Sequence, residues 1–228
     1  KYCRSASRSL NIPRLRTNNQ GFRVAASVDA PGVTAYRDLI RRAALFYSFD
    51  KGTFIPRGGQ VYVQDQSGNG RHGRALGTRL VEGRLGDGLY FDGGPVRVEL
   101  GDRLNDLETP LSVSLWFLPA TLDQKEVTVF QTDRWDRKKY AGLTLNMKPH
   151  KRRIGFGWGA ARGGGSPRYR RSAFSAIEPK PGQWIHLVGV AKADRSFAIC
   201  INGKARAVSL SGSARQMNHT SAPGHIGL

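Results

Sequence analysis

The chain has 228 residues, of which 39% are hydrophobic, and contains 28 Gly and 11 Pro. This suits one large turn-rich β domain or two small domains, and it excludes a chain disordered by composition. The net charge of +19 is unevenly spread: residues 45–133 sum to −3, whereas residues 134–171 sum to +11.

Residues 1–27 form a basic opening stretch with several Arg and Asn. Residues 28–43 are linker-like at DAPGVTA and then place Tyr36, Leu39, Ile40 and Ala43 at helical spacing. That spacing predicts one short amphipathic helix, too short to stand alone. From residue 44 the period is two. VRVEL sets Val96, Val98 and Leu100 against Arg97 and Glu99. LSVSLWFL sets Leu111, Val113, Leu115 and Phe117 against Ser112, Ser114 and Trp116. GLTLNM, RIGFGWG and FAICIN alternate in the same way. Alternation of this kind marks strands with one face on a core. Asn202-Gly203, between FAICI and KARAVSL, predicts a two-residue hairpin, because both residues tolerate positive φ. About ten short strands separated by turn residues predict a sandwich of antiparallel sheets. No apolar run reaches the ~18 residues of a membrane-spanning helix.

Two cysteines make no disulfide framework, and Cys200, inside FAICING, reads as a small buried hydrophobe. Trp116 and Trp184 read as core residues and His186 as a satisfied structural histidine. The remaining histidines, His72, His150, His219 and His225, have no metal-ligand spacing.

The order of several motifs is informative. An opening aromatic run, ALFYSFD, is followed by Asp65-Gln66-Ser67-Gly68-Asn69-Gly70-Arg71-His72-Gly73. Next come Gly83-Arg84-Leu85-Gly86 with Phe91-Asp92-Gly93, then Ser112-Val113-Ser114-Leu115-Trp116, then Trp184-Ile185-His186-Leu187, and finally Asn202-Gly203. Over residues 44–228 this order resembles the laminin-G-like, concanavalin A-like lectin/glucanase superfamily. The resemblance implies an all-β, antiparallel jelly-roll sandwich and a carbohydrate- or protein-binding role. The family pattern continues past Ile-Gly with one more strand, so the sandwich is expected to lack its last strand and to show an open sheet edge.

Glucanases of this superfamily carry carboxylates two residues apart on one strand face, approximately E-x-D-x-x-E. That pattern is not found. The nearest acidic group, Glu99, Asp102, Asp106 and Glu108, reads as a polar loop, so no catalytic residues are assigned. The turn from Asp65 to Gly73 reads either as a structural turn, with Asp65, Ser67 and Asn69 bonding their own backbone, or as part of a calcium loop. In the second reading Asp50, Asp65 and Asp92 would supply hard oxygen ligands from separate segments.

Three basic groups interleave with aromatics: Arg134, Trp135, Arg137, Lys138 and Lys139; then Lys151, Arg152 and Arg153; then Arg168, Tyr169, Arg170 and Arg171. They flank two adjacent strands, so antiparallel pairing would bring them to the ends of one sheet. One reading is a solvated charged surface. The other is a polyanion-binding face, since guanidinium forks match sulfate or phosphate oxygens and aromatic faces stack on sugars or bases. A polysaccharide or glycoprotein, sulfated or otherwise acidic, fits the family resemblance. Nucleic acid fits the charge, but no nucleic-acid-binding motif is present.

The opening stretch carries Arg4-Ser5-Ala6-Ser7-Arg8, then Asn11 and Pro13, then Asn19-Gln20-Gly21-Phe22-Arg23-Val24. This order resembles the C-terminal end of the formylglycine-generating enzyme (sulfatase-modifying factor) family. The alternative is a basic disordered arm. In catalytic members a Cys occupies the second position of the first motif. Here that position is Ser5, and Cys3 is out of register with it. The resulting expectation is a fragment of a larger bacterial, exported protein, extracellular or periplasmic. Residues 1–27 are the remnant of an upstream domain, residues 28–43 a linker with a short helix, and residues 44–228 the sandwich.

Overall fold

The computed structural model describes residues 38–93, 95–133, 135, 139–162 and 166–227. The opening stretch, with its two motifs and Cys3, lies outside these residues, as do Tyr36, Arg134, Arg137 and Lys138. A short helix covers residues 38–42. Among the described residues after it, all are strand, turn, irregular chain or single 3-10 turns at Lys51–Thr53, Pro149–Lys151 and Pro167–Tyr169.

The described strands are β1 (Phe54–Arg57), β2 (Gln60–Val63), β3 (Gly73–Leu76), β4 (Arg79–Glu82), β5 (Asp87–Tyr90), β6 (Arg97–Gly101), β7 (Leu111–Phe117) and β8 (Val127–Gln131). They continue with β9 (Ala141–Lys148), β10 (Arg153–Ala160), β11 (Arg170–Ala176), β12 (Ile185–Ala191), β13 (Phe197–Ile201), β14 (Lys204–Arg206), β15 (Ser209–Ser211) and β16 (Gly224–Ile226). A large sheet runs β1-β2-β3-β6-β16-β8-β9-β10-β11-β15, a smaller one runs β14-β13-β12-β7, and β4 and β5 form a separate hairpin. All the pairings are antiparallel. This is the jelly-roll sandwich expected of the alternating runs.

The core lies between the two sheets, where the apolar phase of each strand points inward. Leu143, Leu145 and Met147 of β9, Ile154, Phe156 and Trp158 of β10, and Leu187, Phe197 and Ile199 of the small sheet are all buried in one cluster. Each such side chain contributes roughly 1.5–3 kcal/mol by leaving water. Phe156 meets Phe197 edge-on at 5.9 Å, and Trp158 lies 4.6 Å from the same ring. Gly189 of β12 makes this fit possible. A Cβ there would come within 2.7 Å of the Phe156 ring, so the two sheets approach closely only over a glycine.

The opening run ALFYSFD supplies Leu45, Phe46, Tyr47 and Phe49 to the interior. It is fastened by the turn that follows β2. Asp65, buried, accepts hydrogen bonds at Oδ1 from the Phe46 N–H at 3.1 Å, the Ser67 N–H at 3.0 Å and the Ser67 hydroxyl at 2.6 Å. Its Oδ2 accepts from the Arg71 N–H at 3.0 Å, and the Asn69 side-chain amide donates to the Ala43 carbonyl at 2.9 Å. Asn202 and Gly203 both take positive φ (51° and 76°) between β13 and β14, as the hairpin requires.

Two details differ from the sequence reading. Cys200 is fully buried, as expected, but it is disulfide-bonded. Trp116 and Trp184 are only half-buried, and Trp116 lies on the outer face of the small sheet, stacked 4.9 Å from His186. The residue alternation explains this, because Leu115 and Phe117 already occupy the inner phase of β7. The sheet edges are β1 and β15 in the large sheet and β14 and β7 in the small one, while β16 sits inside the large sheet between β6 and β8.

Candidate ligand-binding face

The outer face of the large sheet is the phase of each strand opposite to the core. On β9 it presents Thr144, Asn146 and Lys148, and on β10 it presents Arg153, Gly155, Gly157 and Gly159. The register pairs Gly155 with Asn146 and Phe174, and Gly157 with Thr144 and Ser172. Three glycines at period two on one strand leave a stripe without side chains. Neighbouring groups lean over it: a Cβ at Gly155 would meet Asn146 Oδ1 at 2.5 Å and the Phe174 ring at 2.9 Å. At Gly157 it would meet Ser172 Oγ and the Arg171 carbonyl oxygen, both at 2.5 Å.

Above this stripe lies a pocket of about 120 Å³. Its floor is Thr144, Asn146, Gly155 and Gly157, and its walls are Trp135, Tyr140, Arg153, Arg170, Ser172 and Phe174. Trp135 and Tyr140 form an isolated bridge ahead of β9, with ring centroids 4.8 Å apart. The Arg153 guanidinium lies 4.3 Å over the Phe174 ring, and that of Arg170 lies 5.7 Å over Tyr140. Arg170 also donates to the hydroxyls of Ser172 at 3.3 Å and Ser211 at 3.2 Å. The pocket is therefore walled by aromatic rings together with two guanidinium groups that lie over Phe174 and Tyr140.

Thr144 is 2% exposed and Asn146 is 5% exposed, yet Thr144 Oγ1 and Asn146 Oδ1 have no hydrogen-bond partner. Buried polar atoms without partners are uncommon and costly. Farther along the same face, His225 of β16 also has an unpartnered ring nitrogen, Nε2. Burial pushes its pKa down to about 4, with Arg97 adding to the fall and Glu99 opposing it. Beside it, burial tends to raise the Glu99 pKa, but hydrogen bonds from Arg74 and Arg97 outweigh that and hold it below its ordinary value.

A second, wider cleft of about 480 Å³ opens where β10 ends and β11 begins. It is lined by Ala160, Arg162, Arg168, Tyr169, Ser213, Ala214, Arg215, Gln216 and Asn218.

The three basic groups predicted from sequence separate on folding. Trp135, Lys139 and Tyr140 precede β9, and Arg168, Tyr169, Arg170 and Arg171 precede or open β11. They meet at one end of the sheet, since Gly159 pairs with both Gly142 and Arg170. Lys151 and Arg152 lie in the turn at the opposite end, and Arg153 begins β10 there. At that end Lys148 pairs with Glu126 at 2.7 Å and Arg152 with Glu178 at 3.9 Å. Arg171 faces away from the pocket and donates to the Arg195 and Gly212 carbonyls at 2.9 and 3.4 Å. Arg134, Arg137 and Lys138 fall outside the described residues.

The three carboxylates considered for calcium are not brought together. Asp65 is occupied by its own turn, Asp50 accepts from the Asp87 N–H at 3.1 Å, and Asp92 lines a separate cleft with Tyr90 and Phe91. Among the described residues no group of three His, Cys, Asp or Glu side chains converges. Sequence reasoning missed Thr144, Asn146, Gly155, Gly157 and Phe174. Their signal was present as the polar and glycine phase of GLTLNM and RIGFGWG, which alternation alone assigns to solvent.

Two antiparallel sheets packed over one core, with a polar outer face and a ring-sized pocket on it, define a lectin-like jelly-roll domain. The chain belongs to the concanavalin A-like lectin/glucanases superfamily, whose Laminin_G_3 family model matches residues 92–227. Among solved structures, the chain is similar to the receptor binding domain of botulinum neurotoxin D, at 11% identity and a TM-score of 0.53, over 76% of this chain and 44% of that one. It also matches the binding domain of Paraclostridial Mosquitocidal Protein 1, at 12% identity and a TM-score of 0.36, over 76% of this chain and 42% of that one. The chain thus spans less than half the length of either structure. No curated protein matches the chain.

Proposed function

We propose that this domain is a non-catalytic carbohydrate-binding module, and that the pocket on the outer face of the large sheet receives one sugar ring of a polysaccharide or glycoprotein glycan. The observation that carries this reading is the pair of unpartnered buried oxygens, Thr144 Oγ1 and Asn146 Oδ1, on a glycine floor between aromatic walls. A sugar ring offers hydroxyls to the oxygens and an apolar face to Trp135 and Tyr140. The receptor binding domain of botulinum neurotoxin D, to which the fold is similar, is itself a recognition domain, which supports a recognition role here.

The test is retention on a panel of immobilised neutral and acidic polysaccharides, comparing wild type with Trp135→Ala and Asn146→Ala. The expected result is retention of the wild type on at least one polysaccharide, weakened about tenfold in each variant, corresponding to ~1.4 kcal/mol. Retention of both variants equal to wild type across the panel overturns the reading.

The wider setting is proposed on separate grounds. The motif order of residues 2–26 supports a parent protein with a formylglycine-generating-enzyme-like domain ahead of this one. The disulfide at Cys200 supports an oxidising, extracytoplasmic compartment. A parent sequence that reads as an unrelated fold upstream of residue 1 overturns the first of these.

A further inference from the structure

The cleft beside the ring pocket has a distinct chemistry. Three arginines, Arg162, Arg168 and Arg215, line it, and none of its lining residues is acidic. All three are exposed, and among the described residues none of them forms an ion pair. This contrasts with the far end of the sheet, where Lys148 and Arg152 are matched by Glu126 and Glu178. At that far end Lys151 and Arg153 also form no ion pair among the described residues, so what distinguishes the cleft is three such arginines lining one concavity.

The walls of the cleft are fixed by the fold. Asn218 donates from its backbone to the Gly159 carbonyl at 2.9 Å and from its side chain to the Ala160 carbonyl at 3.0 Å, and its own carbonyl accepts from Gly142 at 2.7 Å. Ala214 donates to the Arg170 carbonyl at 3.1 Å, and Ser213 to the Pro167 carbonyl at 3.3 Å. Gln216 is tied to Asn218 at 3.1 Å. Arg168 lies 4.6 Å over the Tyr169 ring, which restrains its guanidinium on the rim. A cleft held open in this way meets a ligand with little ordering cost. Guanidinium forks bind oxyanions in bidentate geometry, and its volume is in the range of small-ligand sites.

We propose that this cleft is an oxyanion subsite, in which Arg162, Arg168 and Arg215 receive a sulfate or carboxylate group carried by the saccharide whose ring occupies the neighbouring pocket. The inference rests on the ring-pocket reading and adds the acidic class of the ligand. The two pockets adjoin through Tyr169-Arg170, where Tyr169 lines one and Arg170 the other. A nucleic acid is the competing polyanion, and the single-stranded DNA column distinguishes it from an acidic saccharide.

The experiment compares three columns of matched backbone, dextran, dextran sulfate and carboxymethyl-dextran, with single-stranded DNA as a fourth. The 228-residue chain is tested as wild type, as Arg162→Gln/Arg215→Gln and as Asn146→Ala, each checked for an unchanged thermal melt. The expected result is tighter retention of wild type on one of the acidic dextrans than on dextran. Arg162→Gln/Arg215→Gln should lose about tenfold on that acidic column, with a shallower salt dependence, and nothing on dextran. Asn146→Ala should lose on both.

Unchanged acidic retention in the double-arginine variant overturns the subsite while leaving the ring pocket standing. Loss in the arginine variant with no loss in Asn146→Ala shows charge binding without a ring, and overturns the coupled site. DNA retained as tightly as the acidic dextran, with the same loss in the arginine variant, overturns the saccharide assignment in favour of a general polyanion cleft. Equal retention on all columns, or none on any, also overturns it. Which of the two acidic dextrans is preferred identifies the anion.

Discussion

A single histidine reports how much the outer face is closed. His225 sits in β16 between Glu99 and Gln131, and its ring is buried with Nε2 unpartnered. Burial lowers its pKa from 6.5 to about 4. In the unfolded chain the ring takes up a proton as pH falls through 6.5, whereas the folded ring resists until about 4. Stability present above pH 6.5 is therefore lost progressively between those values, on the order of 3 kcal/mol from this residue. His186, whose pKa burial also lowers, acts in the same direction. Thermal melts of wild type are expected to shift downward between pH 7 and pH 4, with a clearly smaller shift in His225→Gln. Parallel shifts in both proteins would show that the imidazole is not the group responsible. His225 was legible in the sequence only as a lone histidine, because its burial comes from strands β6 and β8 on either side.

Strand β10 shows how one element serves two faces. Ile154, Phe156 and Trp158 fill the core, while Gly155, Gly157 and Gly159 leave a channel on the opposite side. The inner phase was predictable from alternation. The meaning of the glycine phase was not, since a glycine in a strand marks a weak strand, a bulge or a close approach equally well. The register decides: Asn146, Thr144, Ser172 and Phe174 come from the two neighbouring strands and lean across the stripe. Gly157→Ala would place a Cβ 2.5 Å from both the Arg171 carbonyl oxygen and Ser172 Oγ. Backbone cannot yield as a side-chain tip does, so this variant is expected to lose about 2 kcal/mol. Calorimetry should show a melting temperature lowered by roughly 4–8 °C. A melting temperature within a degree of wild type would show that β11 shifts freely and that the stripe is not a tight approach.

Across the whole molecule, the small sheet carries a covalent constraint that the large sheet lacks among the described residues. Cys200 on β13 is disulfide-bonded and fully buried. A disulfide is typically worth about 2–4 kcal/mol. Reduction under native conditions is expected to lower the melting temperature by several degrees, and Cys200→Ser without reductant should match the reduced wild type. A melting temperature insensitive to reductant would leave the bond without a stabilising role. The sequence reading placed Cys200 inside the protein but not in a bond, because alternation marks burial and says nothing of bonding.

Sequence by itself determined the fold class and the inner face of β6, β7, β9, β10 and β13. Alternation, turn residues and motif order are local signals, and burial of one phase against a core follows from them. It also located the excess positive charge in residues 134–171. Only the tertiary structure decided which of those charges are matched and which are not, since Glu126, Glu178 and the carbonyls that hold Arg171 come from distant segments. It alone assembled the ring pocket. That pocket needs three strands in one register, and its unpartnered Thr144 and Asn146 oxygens are defined by what neighbouring strands fail to supply, which no single stretch of sequence encodes.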